Sequence, residues 1–296
     1  MLVYHIPALS KPTSIRDFIR LHCGLSQSLW RRIQREGCVL CNDQAPPPGY
    51  WLQQGDILSL SWPKHPAVIV APLPIDIAYE DEVLLVVNKP AGLLAHPHAG
   101  PPEATLADAV LTHYQACGWD YEYHPVHRLD RNTSGLVLIA KRPDIQHFFQ
   151  KDNLLHLHRS YLGLCHGDWT THWGCIQAPL ARKPDSLIER QVAANGQQAL
   201  THYHCCHHNT EASLVRFHLE TGRTHQIRVH CAYIGHPLLG DDLYGGLQTH
   251  IQRQALHAYA LRFRHPLTQK TICVRGPLPS DMKNLLENTK IILKNK

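Results

Sequence analysis

The sequence predicts an α+β protein: a small mixed head followed by a larger body built on a mixed, largely antiparallel sheet. Three observations point there. β-Branched apolar runs and amphipathic stretches intermingle without the regular strand–helix–strand rhythm of a parallel α/β protein. Charged residues make up 18% and hydrophobic residues 44% of the 296-residue chain, an ordinary globular composition that excludes wholesale disorder. Four prolines, Pro63, Pro66, Pro72 and Pro74, read as an extended connection. They divide the chain into a head at 1–66, a linker at 67–74, a body at 75–280 and a basic tail at 281–296.

Taken in order, the head opens with a helix capped by Ser14. Its apolar positions Ile15, Phe18, Ile19 and Leu21 fall mostly on one face, and Gly24 ends it. Ser26 caps a second helix that runs to Glu36 and is stopped by Gly37. Leu29 and Ile33 lie one turn apart on it and face inward. Arg31 and Arg35, also one turn apart, with Arg32 beside them, form a different face. That face reads either as a phosphate-contacting patch or as ordinary solvated helix surface. Short strands are expected at 38–42 and 56–61, with a Pro46-Pro47-Pro48-Gly49 loop between them. The body begins with a strand at 83–88 and a turn at Lys89-Pro90-Ala91-Gly92. Helices are expected near 106–114 and 145–155, strands at 136–140 and 214–219, and a basic helix at 282–293. No internal repeat is present.

The net charge of +5 is unevenly placed. Residues 1–66 carry +3 and 280–296 carry +2, while 67–279 are neutral by formal count. A basic end on a neutral body suggests an appendage for an anionic polymer, although +5 also serves plain solubility. Histidine is abundant at 24 residues, of which 21 lie in the neutral middle. Ten cysteines without a secretory signal argue for reduced thiols in the cytoplasm. No stretch approaches the ~20 apolar residues of a membrane span. A monomer is expected.

Two clusters concentrate reactive side chains. In His127-Arg128-Leu129-Asp130-Arg131-Asn132-Thr133-Ser134-Gly135, an aspartate stands between two arginines, whose positive charge favours an ionised carboxylate able to act as nucleophile or base. A salt-bridged turn aspartate is the plainer reading of the spacing. In the run 220–230, strand alternation would set Thr224, Gln226 and Arg228 on one face and Ile227 and Val229 on the other, a polar row suited to an anion or simply an exposed strand face.

With other motifs in the same order, these clusters resemble the RluA-type pseudouridine synthases. The resemblance covers nearly the whole chain. It rests on Tyr79-Glu80-Asp81 with Asn88-Lys89-Pro90-Ala91-Gly92 and His96-Pro97. HRLDRNTSGLVLIAK follows at 127–141, then LETGRTHQIRVH at 219–230 with Gly235-His236-Pro237 and GDDLYGG at 240–246. RQALHA at 253–258 and His265-Pro266 complete the set. Asp242 stands where the family usually has proline. The head resembles, more weakly, the small S-four-type RNA-binding domain.

The resemblance implies a pseudouridine synthase catalytic fold and an enzyme that needs no cofactor. The family detaches uracil from C1′ of its ribose, rotates it and rejoins it through C5. It places Asp130 as the catalytic aspartate, as nucleophile on the sugar, as adduct to the base or as proton acceptor. Arg228 would pair with it, and Tyr161 would stack on the base and handle a proton. Ile227 would lie beside the base. Arg131 would fill the gap left by the flipped nucleotide, and His127 and Arg128 would contact the substrate. Structured RNA is the implied partner, large-subunit ribosomal RNA first and transfer RNA as the alternative. A non-catalytic RNA-binding or assembly factor on the same scaffold is the competing class, and hydrolytic release of uracil a further one.

Two features stand outside the resemblance. The run His202 to His208 would set His202, His204 and Cys206 on one strand face, but a single run lacks the two separated ligand pairs usual for zinc, so no metal site is expected. Cys38 and Cys41 have no second pair and read as structural. The histidines leave one expectation: as pH falls toward ~6.5, the body should gain positive charge and RNA affinity should rise.

Overall fold

The computed structural model describes residues 2–25, 27–62, 73–97, 101–152 and 154–291. In the head, the elements are β1 (Leu2–His5), β2 (Thr13–Ser14), α1 (Ile15–His22), α2 (Gln27–Glu36), β3 (Cys38–Cys41), β4 (Trp51–Leu52) and β5 (Ile57–Ser61). Ser14 Oγ accepts the Asp17 N–H at 3.1 Å, satisfying an orphan donor at the start of α1. An antiparallel sheet in the order β1–β5–β3 supplies Leu58 and Leu60, against which Phe18, Ile19 and Ile33 bury the inward faces of both helices. Gly37 stops α2 for a further reason: a Cβ there would sit 2.2 Å from the Ser61 carbonyl oxygen. Cys38 is exposed and Cys41 buried, so the two thiols do not share a face. Ser26 and residues 67–72 of the linker lie outside the described residues.

The body begins with β6 (Ile77–Glu80), β7 (Leu84–Lys89), α3 (Leu106–Ala116), β8 (His124–Pro125), β9 (Ser134–Ala140), α4 (Pro143–Gln150) and β10 (Leu157–His166). It continues with β11 (Trp173–Gln177), β12 (Leu180–Arg182), β13 (Arg190–Val192), β14 (Leu200–His208) and β15 (Ala212–Leu219). Then come α5 (Gln226–Tyr233), a 3₁₀ turn (Asp242–Tyr244), β16 (Leu256–Arg264), β17 (Thr271–Arg275) and α6 (Ser280–Asn288). The main sheet runs β11–β14–β15–β10–β16–β9–β7–β6, with β17 added to β16 and β8 to β9. Its pairs are antiparallel apart from β16 with β9.

Burial explains why the central strands are legible as apolar runs. Leu85, Val87, Val137 and Ile139 enter one core, and Leu84, Val86, Leu136 and Leu138 enter a second. With both faces covered, β7 and β9 have no reason to alternate.

The short parallel pair depends on Gly135, which sits opposite Ala258 with φ 117°. A Cβ there would fall 2.3 Å from the Ala258 carbonyl oxygen, so backbone would have to move. Gly135→Ala is expected to lower stability by about 3 kcal/mol or more, read as a shift in the urea midpoint. A midpoint within experimental error of the parent would show that the strands separate freely here.

Three expectations are corrected. The segment expected to be a polar-faced strand over 224–230 is the helix α5. The helix expected near 145–155 stops at Gln150, and Leu154 adopts φ 64° in the turn that follows. The basic C-terminal segment is no free tail: Met282, Leu285 and Leu286 of α6 pack against Leu164, Leu214 and Leu239, giving the helix an apolar contact that charge counting overlooks. Residues 292–296 lie outside the described part.

Candidate active site

A cavity of about 540 Å³ opens between β10, the loop before β9 and the start of α5. Asp130, Tyr161, Ile227, Arg228, Arg128 and His127 all line it, although they come from positions up to about a hundred residues apart. The turn carrying Asp130 closes with Thr133 N–H on the Asp130 carbonyl.

That turn is clamped from beneath. Lys89, fully buried, donates to the carbonyls of Pro90, Leu93 and Arg131 at 2.8–2.9 Å. Burial lowers its pKa to about 7, with the charge of Asp130 acting against the shift. Arg253 donates to the Asn132 carbonyl and Gln254 to Thr133 Oγ1. His257 Nδ1 lies 2.9 Å from Ser134 Oγ. The motif at 253–258 thus holds the loop of the motif at 127–135.

α5 brings the second half of the site. Every residue from Gln226 to Cys231 is buried. Gln226 donates to the Leu200 carbonyl and to Thr201 Oγ1, and its own carbonyl accepts from Thr221 and the Arg223 N–H. His230 bridges Thr201 Oγ1 and the Ala178 carbonyl. These bolts satisfy polar side chains all round a buried helix, so polarity at every second residue does not mark a strand here. His225 begins the helix at φ 58°, a left-handed conformation uncommon outside glycine.

Arg228 and Asp130 face each other, Nη1 to Oδ2, at 3.7 Å. The guanidinium is oriented by a different carboxylate: Nε and Nη2 fork onto Asp241 at 2.8 and 2.7 Å, leaving Nη1 for Asp130. Burial works against the charge of Arg228, but the Asp241 hydrogen bonds and the charges of Asp241 and Asp130 hold its pKa above the ordinary value. His225 Nε2 lies 4.0 Å from the other Asp130 oxygen. Burial lowers the pKa of His225, with Asp130 pulling the other way. Its Nδ1 meets the Tyr244 hydroxyl at 2.8 Å, which in turn accepts the Arg190 N–H. Tyr161 is buried in the cavity wall, and burial raises its pKa. Arg159, also buried, lines the same cavity.

The remaining site residues are placed as follows. Arg128 donates to Thr224 Oγ1 at 3.3 Å across the cavity mouth. Arg131 does not line the cavity; it forks onto Glu103 at 2.6 and 2.8 Å on the surface. His127 Nε2 accepts the Leu138 N–H, so its ring braces β9. In the head, Arg31 and Arg35 are exposed, but Arg35 forks onto Glu36, and Arg32 pairs with Glu36 and with Glu122 of the body. Lys89, Arg159, His225 and Asp241 complete the site; three of them lie inside the sequence motifs, where nothing local assigns them a role. For Asp241 the available signal was a carboxylate directly after Gly240, whose φ is 73°.

In the run at 202–208, His202 and His204 share one strand face, and Cys206 stays beside them, its Sγ 3.7 Å from His204 Nδ1. Cys206 falls at a bulge between the Cys205 and His207 pairings, His204 stacks on Trp173 and His202 bonds Glu220. Among the described residues, no three His, Cys, Asp or Glu side chains converge as ligands for one metal ion.

Burial pushes His127 down to about 3 and His257 to about 4, from 6.5. The unfolded chain takes up both protons near 6.5, whereas the folded chain refuses them until far lower pH. Stability is therefore full above about pH 6.5 and falls as pH drops toward the folded values. A urea midpoint clearly lower at about pH 5 than at about pH 7 is expected; equal midpoints would contradict neutral burial of these rings.

A family model described as RNA pseudouridylate synthase matches residues 83–233. The chain is 43% identical over 271 residues to the uncharacterized RNA pseudouridine synthase YjbO of Bacillus subtilis (strain 168), covering 89% of this chain and 95% of that protein. It is 39% identical over 233 residues to the ribosomal large subunit pseudouridine synthase D of Vibrio parahaemolyticus, covering 73% and 70% respectively. Among solved structures, human RNA pseudouridylate synthase domain containing 4 shares the fold, with a TM-score of 0.61 and 22% identity over 74% of this chain and 95% of that one. Among the described residues, no helix is long and apolar enough to cross a membrane.

Proposed function

The chain belongs to the RNA pseudouridylate synthase family, and we propose that it isomerises specific uridines of large-subunit ribosomal RNA with Asp130 as the catalytic carboxylate. The observation that carries the reading is the convergence of Asp130, Tyr161 and Arg228 in one cavity, with Arg228 aimed at Asp130 by a buried partner. A scaffold used only for binding has no chemical need for that arrangement.

The reaction breaks the C1′–N1 bond and forms C1′–C5, with the proton on C5 lost and N1 regaining one. The base must leave its stack to expose the glycosidic bond. The cavity has room for it, with Ile227 as an apolar wall and Tyr161 as an aromatic one. Asp130 stands between Arg228 and His225, which face its two oxygens at 3.7 and 4.0 Å. As attacking nucleophile, as adduct to the base or as proton acceptor, it works from the same fixed position. Tyr161, its hydroxyl kept protonated by burial, suits proton handling beside the base. The reading takes the protein as a monomer, and ten free cysteines fit a cytoplasmic setting. The ribosomal target follows the Vibrio relative, a ribosomal large subunit pseudouridine synthase.

Pseudouridine mapping in RNA from cells with and without the protein tests the reading. Loss of one or a few sites in large-subunit RNA is expected. Loss confined to transfer RNA would move the target, and no lost site would refute the assignment.

The head is read as an RNA-binding unit with fewer free cations than its sequence suggests, because Arg32 and Arg35 meet carboxylates. Removing Arg31 and Arg35 together is expected to make the slope of log affinity against log salt shallower by only about 1, one phosphate contact. An unchanged slope would remove this helix from the RNA interface.

A further inference from the structure

The formally neutral body hides a basic, aromatic surface on the outer side of its sheet. Cross-strand register lines up His202, His218, Ser160, Ala260 and Arg275 across β14, β15, β10, β16 and β17. In the flanking rows, His204 stands opposite Arg216 and His158 opposite Arg262. With strands about 4.8 Å apart, the row spans about 19 Å. Ser160 and Tyr161 are consecutive on β10, so this surface and the cavity lie on opposite sides of one strand.

Arg216, Arg262 and Arg275 are exposed, and among the described residues none has a carboxylate partner. Glu220, at the end of β15, is bonded to His202 at 2.7 Å. No other carboxylate among the described residues is carried on this face by the six strands β10, β11 and β14–β17. Burial and the nearby charge of Arg216 lower the pKa of His204, and burial with neighbouring histidines lowers that of His218, so the arginines supply the charge at neutral pH. Flat rings interleave with them. Trp173 is 71% exposed and stacked on His204 at 3.9 Å. Arg216 lies over the Tyr259 ring at 6.0 Å, and His158 stacks on His218. A merely solvated charged face has no need of an exposed indole. Unpaired guanidinium groups beside open aromatic faces suit a chain that offers phosphates and bases together.

We infer that this sheet face is a second RNA-contacting surface, binding phosphates and an unstacked base of a segment remote from the uridine that enters the cavity. The inference rests on RNA being the substrate, and it concerns binding rather than the isomerisation.

The test uses the full chain with Arg216→Ser, Arg262→Ser and Arg275→Ser combined, and a matching triple Lys variant. The probes are long polyuridylate and an oligouridylate too short to reach beyond the cavity. On the long polymer, the serine triple is expected to bind on the order of tenfold more weakly at low salt. Its salt slope should be shallower by about 2, three contacts at about 0.7 each. The lysine triple should keep the parent slope, the short probe should bind all three proteins alike, and photocrosslinks from the long polymer should map to Trp173. An unchanged slope on the long polymer, as for a face that binds an acidic protein, overturns the inference. So does equal weakening on the short probe, or a lysine triple as weak as the serine one. Binding is read without turnover, so absence of pseudouridine formation by the parent protein, which would refute the proposed function, is seen separately.

Discussion

Asp130→Ala is expected to abolish pseudouridine formation while leaving RNA affinity within about tenfold of the parent, because phosphate contacts elsewhere supply most of the binding free energy. The structure gives a reason to expect a folded protein. Arg228 keeps both bonds to Asp241 when Asp130 is removed, and His225 keeps its bond to Tyr244. The substitution therefore strands no buried charge. Asp130→Asn preserves shape without the ionisable carboxylate and is expected to be equally inactive. Turnover by either variant at the parent rate would end the assignment of Asp130. Release of free uracil by the parent protein would instead identify base hydrolysis.

Asp241→Ala is expected to have the largest effect on stability. Asp241 is fully buried, and its two oxygens take two of the three guanidinium nitrogens of Arg228. Removing it leaves a cation in the interior whose remaining carboxylate, among the described residues, is Asp130 at 3.7 Å, beside the Tyr244 ring. Breaking a buried pair from one side costs about 3–5 kcal/mol. Activity should be lost too, since Arg228 is then free to close onto Asp130 and occupy the space where the sugar must approach. Asp241→Asn keeps the shape and one acceptor, and should lose less stability. Thermal and urea unfolding of the two variants measure the difference. An alanine variant within about 1 kcal/mol of the parent would show that water or another group reaches the guanidinium.

The elements read best from sequence are those governed by nearby residues. Ser14 caps α1 because its hydroxyl reaches the N–H three positions on, and β7 and β9 announce themselves as apolar runs because both faces are covered. The helical period of α5 is masked: Gln226, Arg228 and His230 are polar yet buried, each satisfied by partners from β14, the Asp241 turn or the loop before β12. Those partners lie 13 to 52 residues away. No local pattern records such bonds. The same holds within the site. Asp130, Tyr161 and Arg228 could be named from motif context, but Asp241, Lys89 and the clamp from Arg253 and Gln254 are visible only as contacts.

The family, the order of its motifs and the residue types that carry the chemistry are legible along the chain, since these are properties of short contiguous segments. How the charges are grouped depends instead on the folded chain. By count, residues 67–279 are neutral. The sheet register gathers Arg216, Arg262 and Arg275 on one outer face, while buried or paired carboxylates such as Asp241 and Glu103 neutralise other cations elsewhere. A sum along the chain cannot distinguish these arrangements, because electrostatic interaction depends on distance in space.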